Sequence, residues 1–257
     1  MYQKRKIRAE KKKDDSPKSF PSVGIHWYPG HMAKTRRQIT EDLKLIDVVI
    51  EILDSRIPIS SRNPDMAELT KNKDKIIILN KSDLADKKEN EKWVQYFKNK
   101  GQTAILADCN IGKGINEILR ATEKIKEEEM EEYAKKGRTG RKIRAMVLGI
   151  PNVGKSSFIN RVAKNSRLEV GNKPGVTRKK QWIRVNEKIE LLDTPGVLWP
   201  KFESEEVALN LSYTGTIKDD VLEKTEVAYQ LLKLLLEEYR NRVIERYKLD
   251  PEYIEEI

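Results

Sequence analysis

The chain has 257 residues, of which 38% are hydrophobic and 36% charged, and carries a formal net charge of +10, enough for one core plus a smaller second unit. The basic balance points to polyanionic partners, against the plainer reading of a solvated charged exterior. One cysteine and two histidines exclude an internal disulfide and a Cys- or His-rich metal site, and no apolar run nears the roughly 20 residues that span a bilayer, so the chain reads as cytoplasmic with no membrane partner.

In chain order, residues 1–22 form a basic arm with Lys4, Arg5, Lys6, Arg8, Lys11, Lys12 and Lys13 and almost nothing to bury. Such an arm is expected to be disordered when free. Residues 23–202 carry the alternation of a main domain. Aromatic and basic residues interleave around Trp27-Tyr28-Pro29-Gly30-His31, and Met32 to Leu45 has helical spacing. Val48 to Leu53 reads as a strand ending at Asp54, and Lys75 to Leu79 as a second ending at Asn80. Glu89 to Lys100 reads as a helix, Gln102 to Ala107 as a third strand, and Ile115 to Glu132 as one long charged helix. After a basic joint at Gly137 to Arg141, Ile143 to Leu148 reads as a strand and Ser156 to Lys164 as a helix. Gln181 to Val185 and Lys188 to Leu192 are two further strands. Near-continuous apolar strands alternating with helices imply an α/β fold, a mostly parallel sheet between helices. Residues 203–257 read as a small all-helical domain. Val227, Leu231, Leu234 and Leu235 are expected to form a packed face, and Asp250-Pro251 to end the last helix.

Three motifs follow strands. Gly149-Ile150-Pro151-Asn152-Val153-Gly154-Lys155-Ser156 has the spacing of a phosphate-binding loop. Its glycines let backbone N–H groups turn onto phosphate oxygens, Lys155 brings a point charge to the β/γ-phosphates, and Ser156 offers a hydroxyl to Mg²⁺ at the positive end of a helix. Asn80-Lys81-Ser82-Asp83 supplies the base: the Asp83 carboxylate accepts two parallel hydrogen bonds from guanine, an edge adenine lacks. Asn80 fixes the loop and contacts the base, and the Lys81 stem lies on the ring. Asp193-Thr194-Pro195-Gly196 places Asp193 toward Mg²⁺ and the Gly196 N–H toward the γ-phosphate. Between the phosphate loop and this motif, Gly171 to Thr177 suits a mobile switch with Thr177 as a Mg²⁺ and γ-phosphate ligand; a plain surface loop is the other reading. Val197 stands where many GTPases place the glutamine that orients water, so turnover is expected to need outside help. Asn152 could hold K⁺ beside the phosphates. His31 could position the water or be structural.

The base motif precedes the phosphate loop, the reverse of the usual order. With Trp27-Tyr28-Pro29-Gly30-His31-Met32, Asp54-Ser55-Arg56-Ile57-Pro58, Ser61-Arg62-Asn63-Pro64, Leu191 to Phe202 and Thr214 to Asp219, the chain from about Ile25 onward resembles the circularly permuted GTPases of the YlqF type, the ribosome biogenesis GTPase A family. The resemblance implies a permuted Ras-like domain and a helical RNA-binding domain. It implies Mg²⁺-dependent, K⁺-stimulated hydrolysis of GTP to GDP, accelerated by the ribosome, in late assembly of the large (50S) subunit. The implied partners are the large-subunit precursor and its rRNA, with the chain itself monomeric. Catalytic roles fall on His31, Lys155, Thr177 and Gly196. Nucleotide contacts fall on Asn80, Lys81, Asp83, Asp108, Cys109, Asn110, Pro151, Asn152, Val153, Gly154, Lys155, Ser156, Ser157, Thr177 and Gly196, and Mg²⁺ on Ser156, Thr177 and Asp193. Asp108-Cys109-Asn110 departs from the family's Ser-Ala at the base, where backbone N–H groups are expected to make the contact. The long basic arm and the end at Ile257, short of the usual length, also depart. Two other functions fit the residues: a GTPase of another RNA process such as tRNA modification, and an RNA-binding scaffold that uses GTP only as a ligand.

Overall fold

The computed structural model describes residues 32–250 apart from 139, 166–180, 195, 197, 199–201, 203 and 218–222. His31, Thr177 and Val197 therefore lie outside the described residues, as do the basic arm and the Gly171 to Thr177 segment. Two compact units divide the chain, one spanning Pro29–Trp199 and the other including Pro200–Ile257.

The larger unit is built on a six-stranded sheet of order β3-β2-β1-β4-β6-β5. Its strands are β1 Val48–Asp54, β2 Asp74–Asn80, β3 Thr103–Leu106, β4 Ile143–Leu148, β5 Gln181–Arg184 and β6 Ile189–Asp193. All neighbours pair in parallel except β5, which runs antiparallel to β6 at the edge. The central strand β1 is buried at every position, which is why it reads as a near-continuous apolar run rather than an alternating one.

Helix α1, Met32–Asp42, continues into a short 3₁₀ turn, Leu43–Leu45. Ile39, Leu43 and Ile46 pack on Val49, Met146, Leu148 and Leu192 of the sheet. The next helix, α2, Pro64–Leu69, is not evident from periodicity. It is set by its start: Asn63 caps the helix through Met66 N at 3.3 Å, and Pro64 supplies a fixed φ in the first turn. Helix α3, Lys87–Asn99, is capped by Asp86 and buries Phe97 against Leu53, Ile77 and Leu79. Glu51 interrupts the apolar run of β1. It is buried with Arg62 at 3.1 Å and Lys75 at 3.5 Å, so the charge is paired twice within the core.

The expected long helix after Ala107 is instead two, α4 Ile115–Ile125 and α5 Glu127–Lys135. The break falls at Lys126 (φ −111°, ψ 8°), whose ammonium bridges Asp74 at 2.8 Å and Glu129 at 2.7 Å. Burial acts against this ammonium, but the two carboxylates outweigh it and lift the pKa above the ordinary lysine value. Helix α6, Lys155–Asn165, follows the phosphate loop. Among the described residues the sheet gains no further strand after β6, and the second unit holds α7 Glu205–Tyr213 and α8 Lys224–Tyr247. The expected packed face of α8 is only partly realised. Leu234 is 39% exposed, and Val243 is the buried residue among those described in this helix. The helix ends before Asp250, at Lys248, whose φ of 53° is left-handed. Among the described residues no helix is long and apolar enough to cross a membrane.

Candidate functional site

Parallel pairing brings the carboxyl ends of β1, β2, β3, β4 and β6 to one end of the sheet, where α/β folds bind ligands. Each of these ends carries a motif singled out above. The phosphate loop runs from Gly149 to Gly154 between β4 and α6, and Ser156 and Ser157 lie in the first turn of α6, at its positive end. Asn152 takes a left-handed φ of 61°, a conformation asparagine tolerates better than most residues.

Asn80 joins the two halves of the site. It is buried, its Nδ2 donates to the Val153 carbonyl at 2.7 Å, and its Oδ1 accepts from the Cys109 N–H at 3.0 Å. One amide thus ties the phosphate loop to the loop after β3, a link that the permuted order conceals. Through both polar ends Asn80 braces these two loops. Gly154 has a φ of 102°, and a Cβ there would strike Asn80 Nδ2, so only glycine fits beneath the brace.

The loop after β3 is shaped by its own bonds. The Cys109 N–H is given to Asn80, and the Asp108 carboxylate accepts from the N–H groups of Asn110 at 3.0 Å and Ile111 at 3.4 Å. Burial, with a smaller push from Asp108, moves the Cys109 thiol up to about 12, so it stays protonated. Arg161 of α6 donates to the Asn110 carbonyl and supports the loop from the phosphate side.

Asp83 is exposed in the turn that follows β2. The turn is held by Ser82 N donating to Ala107 O at 3.1 Å and by Asn90 Nδ2 of α3 donating to Ser82 O at 3.0 Å. Lys81, at φ 60°, ion-pairs with Asp54 at 2.9 Å. Asn90, Asp54 and Arg161 were not singled out as site residues from the sequence. Arg161 meets Asn110 and Asp54 meets Lys81 only through the fold, whereas Asn90 and Arg56 lie close in sequence to their partners.

At the phosphate end, Lys155 is 9% exposed and donates to the Ile150 carbonyl at 2.8 Å. Gly196 lies against it: a Cβ on Gly196 would stand 2.6 Å from Lys155 Nζ and 3.0 Å from Pro151 N. The turn leading there is fixed by Thr194 Oγ1 donating to Val147 O at 2.5 Å. Two cradles that a single Cβ would fill, one buried ammonium and a helix N-terminus make a socket for phosphate oxygens. The Ser156 hydroxyl and Asp193 carboxylate are oxygen donors of the kind Mg²⁺ takes alongside phosphate and water.

Burial lowers Lys155 to about 8, with Asp193 pulling in the opposite direction. In the folded protein this lysine sheds its proton before the unfolded chain does, so its contribution to stability rises with pH between about 8 and 10.5. Below that window the buried charge costs about 3 kcal/mol. Phosphate oxygens stabilise the ammonium, so nucleotide binding takes up a proton above about pH 8 and weakens as pH rises. Calorimetry of GDP binding in buffers of different ionisation enthalpy is expected to show uptake near pH 9 and little near pH 7. Equal uptake at both would contradict the assignment.

The model of the 50S ribosome-binding GTPase family matches residues 144–249. Ribosome biogenesis GTPase A of Bacillus cereus is 48% identical over 235 residues, covering 91% of this chain and 79% of that protein. Mitochondrial ribosome-associated GTPase 1 of Mus musculus is 39% identical, covering 84% and 69%. The solved structure of GNP-bound YlqF from T. maritima superposes with a TM-score of 0.58 at 27% identity, covering 79% of this chain and 75% of that one. A phosphate loop braced by the base-motif asparagine, on a sheet with the base motif first, together with this identity across most of both chains, places the protein in the ribosome biogenesis GTPase A family of circularly permuted GTPases.

Proposed function

We propose that this chain binds GTP with Mg²⁺ and hydrolyses it to GDP and phosphate while engaged on a large-subunit (50S) precursor, as a cytoplasmic monomer that contacts rRNA. The observation that carries the reading is the Asn80 brace, because it fuses a phosphate loop and a guanine-type motif into one socket. Asp83 reads the guanine edge. Lys155 turns from the Ile150 carbonyl to the β/γ-phosphates, and the Gly196 N–H, beside that ammonium, meets the γ-phosphate. Ser156 and Asp193, with Thr177, would hold the Mg²⁺, which would supply charge neutralisation to the phosphates. Val153, Gly154 and Ser157 line the phosphates with backbone and hydroxyl donors, Pro151 shapes the loop without an N–H to give, and Asn152 offers an oxygen to K⁺. His31 is assigned the attacking water.

With valine at 197 the free enzyme is expected to turn over no faster than roughly 10⁻⁴–10⁻³ s⁻¹, and a partner can add about 10³–10⁵-fold. The names of the relatives point to a ribosomal particle as that partner. The basic arm gives the association a salt-dependent rRNA component through counterion release. GTP turnover with and without large-subunit precursor particles, across a salt series, tests the reading; no stimulation at any salt sinks it. In the same assay, K⁺ against Na⁺ tests Asn152 and His31→Ala tests the water assignment. Unchanged rates in either comparison remove that residue from the mechanism.

A further inference from the structure

The end of the sheet opposite the nucleotide motifs is basic. There the parallel strands begin, β1 at Val48, β2 at Asp74, β3 at Thr103 and β4 at Ile143. Two grooves open at this end. The first, of about 540 Å³, lies at the entries to β1 and β4 and is lined by Lys44, Arg141, Lys142 and Arg144, with Asp47 and Glu190 as its carboxylates. The second, of about 450 Å³, lies at the entries to β2 and β3 and is lined by Arg62, Lys71, Lys73 and Lys75, with Asp74 as its carboxylate.

The carboxylates do not cancel these cations. Asp74 is taken by Lys126 at 2.8 Å. Arg62 and Lys75 share the one buried carboxylate of Glu51, at 3.1 Å and 3.5 Å, which leaves positive charge in excess at the second groove. Lys73 donates to the Ile46 carbonyl at 2.7 Å, a neutral partner in the segment before β1, and so ties the two grooves together. Lys71 pairs with Glu68 on the exterior, where such a pair opens at little cost. In the first groove Asp47 holds Arg141 at 2.8 Å and Glu190 holds Lys142 at 2.7 Å, while Lys44 and Arg144 are exposed. The Arg144 guanidinium lies 5.4 Å from the ring centre of Trp182, whose indole is 41% exposed.

Neighbouring strands stand about 4.8 Å apart, so the two grooves are about 10 Å from each other, a span that a few nucleotides of one nucleic-acid strand cover. An exposed indole beside a guanidinium is a face on which an unpaired RNA base stacks, and a lipid headgroup or free phosphate makes no such use of it. We propose that the two grooves form a track for an RNA phosphate backbone, with Trp182 and Arg144 as its stacking platform. The track presupposes the ribosomal partner proposed above and names where the sheet unit grips its RNA. A grip at this end leaves the phosphate loop and the base turn uncovered, so RNA and nucleotide bind at the same time.

Binding of the full chain to large-subunit precursor particles across a salt series tests the track. The triple substitution Lys44→Gln, Lys71→Gln and Arg144→Gln, at exposed positions in both grooves, is expected to weaken binding about tenfold or more at about 0.1 M salt. It should also flatten the slope of log affinity against log salt by about 2–3, with GDP affinity unchanged. Lys87→Gln, Lys88→Gln and Lys92→Gln together remove the same charge from the exposed side of α3 and should leave particle binding nearly as it was. Trp182→Ala is expected to cost about fivefold or more with the salt slope retained. Equal losses in the two triple variants overturn the proposal, because bulk charge alone would then explain them. So does a GDP affinity that falls in step with particle binding, which would mark a damaged fold. Groove substitutions that abolish binding to phosphatidylserine vesicles but spare the particles overturn it in favour of a membrane. If the unsubstituted chain binds no particle, the ribosomal reading falls and takes the track with it. If it binds and the groove variant binds equally well, only the track falls.

Discussion

Asp83→Asn is expected to move base preference from guanine to xanthine, with discrimination against guanine changing by as much as about 10⁴-fold. The carboxylate accepts from both guanine N1–H and the 2-amino group. An amide presents one acceptor and one donor, which suits the 2-oxo group of xanthine and leaves a guanine N–H unpaired. The turn should survive the change, because the bonds that shape it run through Asn80, Ser82 and Asn90. Competition between GDP and XDP for the purified variant reads the outcome directly. Retained guanine preference would contradict the assignment of this turn to the base.

Gly154→Ala is expected to cost the most at the phosphate loop. The added Cβ falls on Asn80 Nδ2, so the Asn80–Val153 bond must open, and the φ of 102° is strained for any residue with a Cβ. Left-handed strain of about 1–2 kcal/mol and a buried amide left unpaired at about 1–3 kcal/mol together predict a loss near 2–5 kcal/mol. Because Asn80 also holds Cys109, the damage should spread from the phosphates to the far loop, and GDP affinity should fall by about 100-fold or more. Gly137→Ala is the control: its φ is 73°, but nothing lies within 4 Å of the new Cβ. It should show only modest strain and unchanged GDP binding. Denaturant unfolding and GDP titration of both variants decide the matter, and a Gly154→Ala protein with native stability and affinity would refute the brace.

The strands and the motif-bearing loops were legible because phosphate and base chemistry demand particular residue types directly after apolar runs. Gly154 and Asp83 lie beyond the ends of their strands, Asp193 closes β6 and Lys155 opens its helix, as the sequence spacing puts them. What escaped the sequence depends on distant partners. The six-residue helix at Pro64 is too short to show a period and is announced only by its asparagine cap. The charged run from Ile115 onward continues smoothly through Lys126, yet the helix breaks there, where Asp74 at the start of β2 pairs with that lysine. Glu51 reads as a blemish in an apolar strand until Arg62 and Lys75 are seen around it. That Asn80 also ties the phosphate loop to the loop after β3 requires knowing which loops lie opposite it.

The permuted order is visible in the sheet. The strand that follows the phosphate-sensing turn in the common arrangement is here β1, near the front of the chain, and among the described residues no strand follows β6. The proposed function is GTP hydrolysis on a large-subunit precursor. That function depends on hydrolysis being gated by the particle. The most direct measurement is the GTP turnover of the purified chain with large-subunit precursor particles against the chain alone. The account predicts acceleration of about 10³–10⁵-fold that weakens as salt rises. A rate that the particles leave unchanged at every salt concentration would contradict it.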